Sequence, residues 1–229
     1  MAPYESVYTG QFIFMLGHLS AARGLDPGGN SVALLAQNPG DQMIGDVVTS
    51  WGGVTSIIEF KRGEDAVQSE FRKPAKKELL DRFKDATRAR SLALSRKGHF
   101  LAFGRGRGRL ANIHVLRYAD IKASPHQDAA TWSMRVFLDQ ILDHEVGLDP
   151  TELGDYVSDL QESHKKATGD GSTPKAISSL IVNLDPATRN LKFVVVDLVR
   201  FRDLKLDPEV SGPALDRSEV RKRGRGMGL

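Results

Sequence analysis

Asp46, Glu59 and Lys61 are the residues whose types and spacing could do chemistry together. Glu59 and Lys61 stand two apart in residues 54–61, a run rich in Val, Thr and Ile that reads as a strand. Successive strand side chains point to opposite faces, so Glu59 and Lys61 project together and Phe60 points away. Asp46 lies thirteen positions before Glu59, in a second apolar run at 43–50. If those strands pair, two carboxylates and an ammonium meet near one end of a sheet. Two carboxylates hold a hard cation such as Mg²⁺, and the Phe60 backbone carbonyl can add a ligand. The cation polarises a phosphoryl oxygen and lowers the pKa of its bound water. An ammonium at Lys61 can orient that water or stabilise charge on the phosphate. This is the equipment for hydrolysing a phosphodiester. A lone Glu-x-Lys carries little weight, and the plainer reading is an exposed ion pair at a strand end, with Asp46 capping a turn.

The elements that must position these residues follow from periodicity and turn chemistry. Residues 8–23 read as a helix, with Phe12, Leu16 and Leu19 at three- and four-residue steps and Gly24 as its stop. Residues 32–36 read as a short buried strand. Trp51-Gly52-Gly53 looks like the turn joining the two strands of the carboxylate pair. Pro74 suits the first position of a long helix reaching about 95, with Leu79, Leu80, Phe83 and Ala86 apolar and Lys76, Lys77, Lys84 and Arg88 on its remaining surface. Strands are expected at 99–103 and 113–116, with a flexible basic loop at 104–109. Helices follow at 131–145 and from Asp149 to about 166, the latter opened by Asp149-Pro150-Thr151-Glu152. A hairpin of 177–184 and 191–199 comes last.

The order helix, strand, strand with Asp46, strand ending in Glu59-Phe60-Lys61, basic helix resembles the PD-(D/E)xK nuclease superfamily. Restriction endonucleases and archaeal Holliday junction resolvases belong to it. The resemblance covers about residues 8–116. It implies an α/β, restriction-endonuclease-like fold, a mixed central sheet flanked by helices, here with a C-terminal helical and β-hairpin elaboration. It also implies Mg²⁺, with Mn²⁺ able to substitute, bound by Asp46 and Glu59, a catalytic Lys61, and endonuclease or exonuclease action on DNA. Asp46 does not follow a proline. Members commonly carry a glutamate after a glycine on the first helix; here Gly10 is followed by Gln11, an uncharged auxiliary candidate, with Glu5 as a second. Defence against foreign DNA is the first expected role and repair or recombination the next. A non-catalytic relative that binds nucleic acid or a partner protein is the competing reading, as is a structural subunit docking through residues 221–225. A homodimer or a regulatory partner fits either.

Composition sets the outer bounds. With 229 residues, 40% hydrophobic and 27% charged, the chain suits one folded domain over 1–204, with a basic, extended tail at 205–229. It has no cysteine, so any metal must sit on oxygen or imidazole. The six histidines show no H-E-x-x-H spacing, and His99 and His114 read as structural. The glycines at 104–108 and 169–171 lack the spacing of nucleotide-binding loops. Net charge is only +3, yet positive residues gather at 72–96, 105–109 and 221–225. Lys76, Lys77, Lys84, Arg105 and Arg107 are therefore the expected phosphate contacts, against the blander reading of a solvated helix face. Trp51 could stack on a base, while Trp132 reads as core. No run reaches the ~18 apolar residues of a membrane span, and the opening residues lack a signal peptide's charge, so a cytoplasmic protein is expected.

Overall fold

Two glycines decide how the carboxylate-bearing strands pair. Gly52 and Gly53 have φ of +56° and +85°, the positive values of a two-residue turn whose twist matches its flanking strands. The turn folds β2 (Val47–Trp51) onto β3 (Val54–Lys61), with Trp51 opposite Val54 and Val47 opposite Ile58. In the computed structural model, which describes residues 3–25, 30–35, 45–105, 112–121, 130–169, 178–184 and 191–197, β1 (Ser31–Leu34) pairs antiparallel with β2. β4 (His99–Arg105) lies parallel to β3, and β5 (Asn112–Arg117) and β6 (Trp132–Ser133) follow antiparallel. The result is a six-stranded mixed sheet in the order β1-β2-β3-β4-β5-β6. β7 (Ser178–Leu184) and β8 (Leu191–Asp197) form a separate antiparallel pair.

A parallel neighbour requires a crossover. Here it runs through α2 (Glu64–Val67), a 3-10 turn at Gln68–Arg72, α3 (Pro74–Arg82), a second 3-10 turn at Ala86–Arg88, and α4 (Ala89–Gly98). The single helix expected over 74–95 is thus two. Asp85 breaks it by accepting from the Thr87 amide at 2.9 Å, which satisfies an orphan donor and caps a new start.

Each face of the sheet has its own core. α1 (Glu5–Ala22) begins three residues before the position periodicity predicted. It packs Tyr8, Phe12, Leu16 and Leu19 with Ile58, Phe60, Phe100 and Phe137, the last from α5 (Met134–Leu142). On the opposite face Ile57, Leu101 and Phe103 meet Leu79 and Leu80 of α3 and Tyr156 and Leu160 of α6 (Pro150–Thr168). α5 starts later than expected because Ser133 caps it, accepting from the Val136 amide at 3.3 Å, so Trp132 falls on β6. α6 has the expected capping box of Asp149 and Glu152 and ends at Gly169, φ +66°. Among the described residues no helix is long and apolar enough to cross a membrane. The start of the 43–50 strand, Arg107 and the tail at 205–229 lie outside the described residues.

Candidate active site at the end of strand β3

Asp46 stands one position before β2, whose paired register with β3 ends at Val47 opposite Ile58. The Asp46 amide donates to Ile58 O at 3.1 Å and its carbonyl accepts from the Leu35 amide at 3.0 Å, so its backbone is fixed between β1 and β3. Its carboxylate lies beside that of Glu59, which faces Lys76 on α3. Asp46 Oδ2 accepts from the Phe60 amide at 2.6 Å. Asp46 is half-buried, while Glu59 and Lys61 are only 2% and 4% exposed. The exposed strand-end ion pair is therefore ruled out. Phe60 is fully buried against α1, on the face opposite Glu59 and Lys61.

A buried carboxylate needs a positive partner, and Glu59 has two. Its Oε1 lies 2.7 Å from Lys76 Nζ and its Oε2 3.7 Å from Lys61 Nζ. Lys61 Nζ also donates to the Phe60 carbonyl at 3.0 Å and lies 3.3 Å from Glu70 Oε1. Glu70 is fully buried; Lys73 Nζ lies 2.9 Å from its Oε1, and Tyr118 Oη donates to Oε2 at 2.7 Å. The Lys76 ammonium sits 5.2 Å from the centre of the Tyr118 ring, and His99 stacks on that ring at 4.0 Å. His99 Nδ1 lies 2.7 Å from Tyr156 Oη, which donates to Ser95 Oγ at 3.1 Å. Three carboxylates, Asp46, Glu59 and Glu70, are thus interleaved with the ammoniums of Lys61, Lys73 and Lys76.

Their protonation follows from that layout. Burial and the adjacent Glu59 charge push Asp46 up to about 6, against the pull of the Phe60 amide and Lys61. Burial works to raise Glu59 too, but the Lys76, Lys61 and Lys73 ammoniums hold it below the usual carboxylate range. Lys61 loses solvation on burial, yet Glu59, Glu70, Asp46 and Glu5 together raise it above the ordinary lysine value. Glu5, on the first turn of α1, is therefore the helix-borne carboxylate whose charge reaches Lys61. Gln11 is exposed, and no interaction among the described residues joins it to this cluster.

Would these donors suit the implied Mg²⁺? Burial, and then the Glu59 charge beside it, keep a proton on Asp46 up to about pH 6. That proton occupies the electrostatic place of a cation. Among the described residues no three Asp, Glu or His side chains are placed to hold one metal ion together. The chain thus supplies two carboxylates, enough for one Mg²⁺ that retains water or takes phosphate oxygens. The Phe60 carbonyl, the third expected ligand, is engaged by Lys61 Nζ.

The expected phosphate contacts fare unevenly. Lys76 is a correction: it is 3% exposed and bound to Glu59 rather than presented to solvent. Lys77 and Lys84 are exposed, Lys84 paired with Asp81 at 2.5 Å, and Arg105 is exposed beside Glu64 at 3.2 Å. Much of the basic stretch faces acids of α6: Arg82 meets Glu162 at 2.7 Å, Arg90 meets Asp155 at 2.6 Å and Lys97 meets Glu152 at 2.5 Å. Trp51 is 8% exposed and offers no open face to a base. Trp132 is half-buried on β6 with Arg117 5.1 Å from its ring centre. Glu70 and Tyr118 went unread in the sequence because both lie in 3-10 turns, which carry no apolar period. Lys76 did carry a signal: it stands three and four residues before Leu79 and Leu80, in phase with the buried side of α3. No family model matches the chain, and neither a curated protein nor a solved structure does.

Proposed function

We propose that the chain is a metal-dependent nuclease of the PD-(D/E)xK type that hydrolyses DNA phosphodiester bonds, on a restriction-endonuclease-like arrangement of its helices and strands. The observation that carries this reading is the Asp46 carboxylate beside Glu59, pushed up to about 6 by burial and by the Glu59 charge, with Lys61 between Glu59 and the Phe60 carbonyl. Asp46 and Glu59 would hold one divalent ion, which when bound supplies charge neutralisation at the phosphate and an acidified water. Lys61, held as a cation by its carboxylate neighbours, stabilises the charge building on the phosphate rather than accepting a proton. The Phe60 amide orients Asp46 by its 2.6 Å hydrogen bond. Defence against foreign DNA is the setting the resemblance favours, ahead of repair and recombination.

A non-catalytic nucleic-acid or partner-binding role is favoured by one observation, the Lys76 ammonium seated on Glu59. Incubating plasmid DNA with the purified protein separates the two. Nicking or linearisation with Mg²⁺, abolished by EDTA, is expected. Intact plasmid under Mg²⁺ and under Mn²⁺ would favour the non-catalytic role.

A further inference from the structure

Lys76 is the ammonium that lies closest to Glu59, a proposed metal ligand, and the nuclease reading gives it no task. Its Nζ is 2.7 Å from Glu59 Oε1, its side chain is 4% exposed, and the Tyr118 ring lies against it. A cation therefore meets an ammonium at either oxygen of Glu59, Lys76 at Oε1 and Lys61 at 3.7 Å from Oε2. The charges of the interior cluster explain why this matters. Asp46, Glu59 and Glu70 face the buried ammoniums of Lys61 and Lys76 and the half-exposed ammonium of Lys73. A divalent ion arriving alone adds two positive charges to a largely buried place, which is costly. A phosphodiester arriving with it offsets part of that charge.

We propose that Lys76 is a built-in counter-ion for Glu59 that keeps the site from loading metal until a phosphodiester is present. Metal and nucleic acid then bind with positive coupling, and Lys76 is its source. The inference rests on the nuclease reading for the identity of the metal ligands. Lys76→Met removes the ammonium and keeps the length of the buried stem, so Glu59 is left without its closest partner and with Oε1 open to a cation.

The test is calorimetric titration of Ca²⁺ into the full chain, with and without a short DNA duplex. Ca²⁺ takes oxygen ligands and permits binding to be read without turnover. The wild-type chain should bind Ca²⁺ weakly alone and about tenfold or more tightly with the duplex, within the usual range of coupling. Lys76→Met should bind Ca²⁺ alone at least about tenfold more tightly than wild type and lose most of the coupling. Unchanged Ca²⁺ affinity in a natively folded Lys76→Met protein overturns the proposal and leaves the nuclease reading standing. Absence of Ca²⁺ binding in wild type and variant, with and without duplex, overturns both. Should the variant not fold, the ammonium signal of Lys76 in ¹⁵N-labelled wild-type protein decides. It should move when Ca²⁺ and duplex are added together, and a signal that stays in place overturns the proposal.

Discussion

At the scale of single residues, the behaviour of Asp46 is the most exposed to measurement. Its pKa, pushed up to about 6, lies above the ~3.9 of an unfolded aspartate. A carboxyl raised in the folded state stabilises while it keeps its proton. That stability is fully present below the unfolded value and is lost as pH rises through about 6. In EDTA the wild-type protein should therefore lose ~1–3 kcal/mol from this group between pH 4 and pH 7. Asp46→Asn should flatten that slope, because an amide has no proton to lose beside Glu59. Thermal unfolding across this range checks it, and a slope unchanged in the variant would show that Asp46 is not the titrating group. The nearness of these residues was legible. Asp46 precedes Gly52 by six positions and Glu59 follows Gly53 by six, so a two-residue turn at the glycines brings them to the same end of the hairpin. The company around Lys61 was not legible: Glu70 and Tyr118 come from turns that periodicity does not report.

At the scale of elements, the crossover from β3 to β4 decides what the site contains. Splitting the expected helix at Asp85 yields two shorter helices, and α3 places Lys76 against Glu59 while its Leu79 and Leu80 fill the core. The signal for the break, Asp85 two residues before Thr87, is a local cap that a helical apolar pattern overrides on reading. Asp85→Ala removes the acceptor for the Thr87 amide and hydroxyl, at 2.9 and 2.8 Å. It should lower stability modestly, as loss of a helix cap does. Urea denaturation reads the change, and a variant as stable as the parent would mean that water satisfies the Thr87 amide equally well. α1 shows the converse case. Its register was readable from Phe12, Leu16 and Leu19, but its start was not, because nothing apolar marks Glu5 as the first turn, and so the helix-borne contact was placed first at Gln11 and only second at Glu5.

Across the whole molecule, the positive stretch at 72–97 divides between two uses. Arg82, Arg90 and Lys97 join α3 and α4 to the acids of α6, so part of what composition reports as a polyanion-binding patch is an internal seam. Linear charge density cannot separate these uses, since the acids that answer it are 55 to 80 positions away in the chain. A mixed sheet flanked by helices was expected, but β6 was not, since 132–133 was read into the helix at 131–145, and neither was the two-layer burial that leaves Glu59, Lys61 and Lys76 inside. Buried charges at such density are costly unless a function holds them in place, and the account assigns that function to Asp46 and Glu59 as ligands of one metal ion. The most direct test is single-turnover cleavage of plasmid DNA in Mg²⁺ by Glu59→Gln, a change that keeps the side chain's shape and removes its charge, with folding verified by circular dichroism. The account predicts a loss of at least ~10²-fold in rate, of the size seen when a group that stabilises the transition state is removed. Cleavage by well-folded Glu59→Gln at the rate of the parent would contradict it.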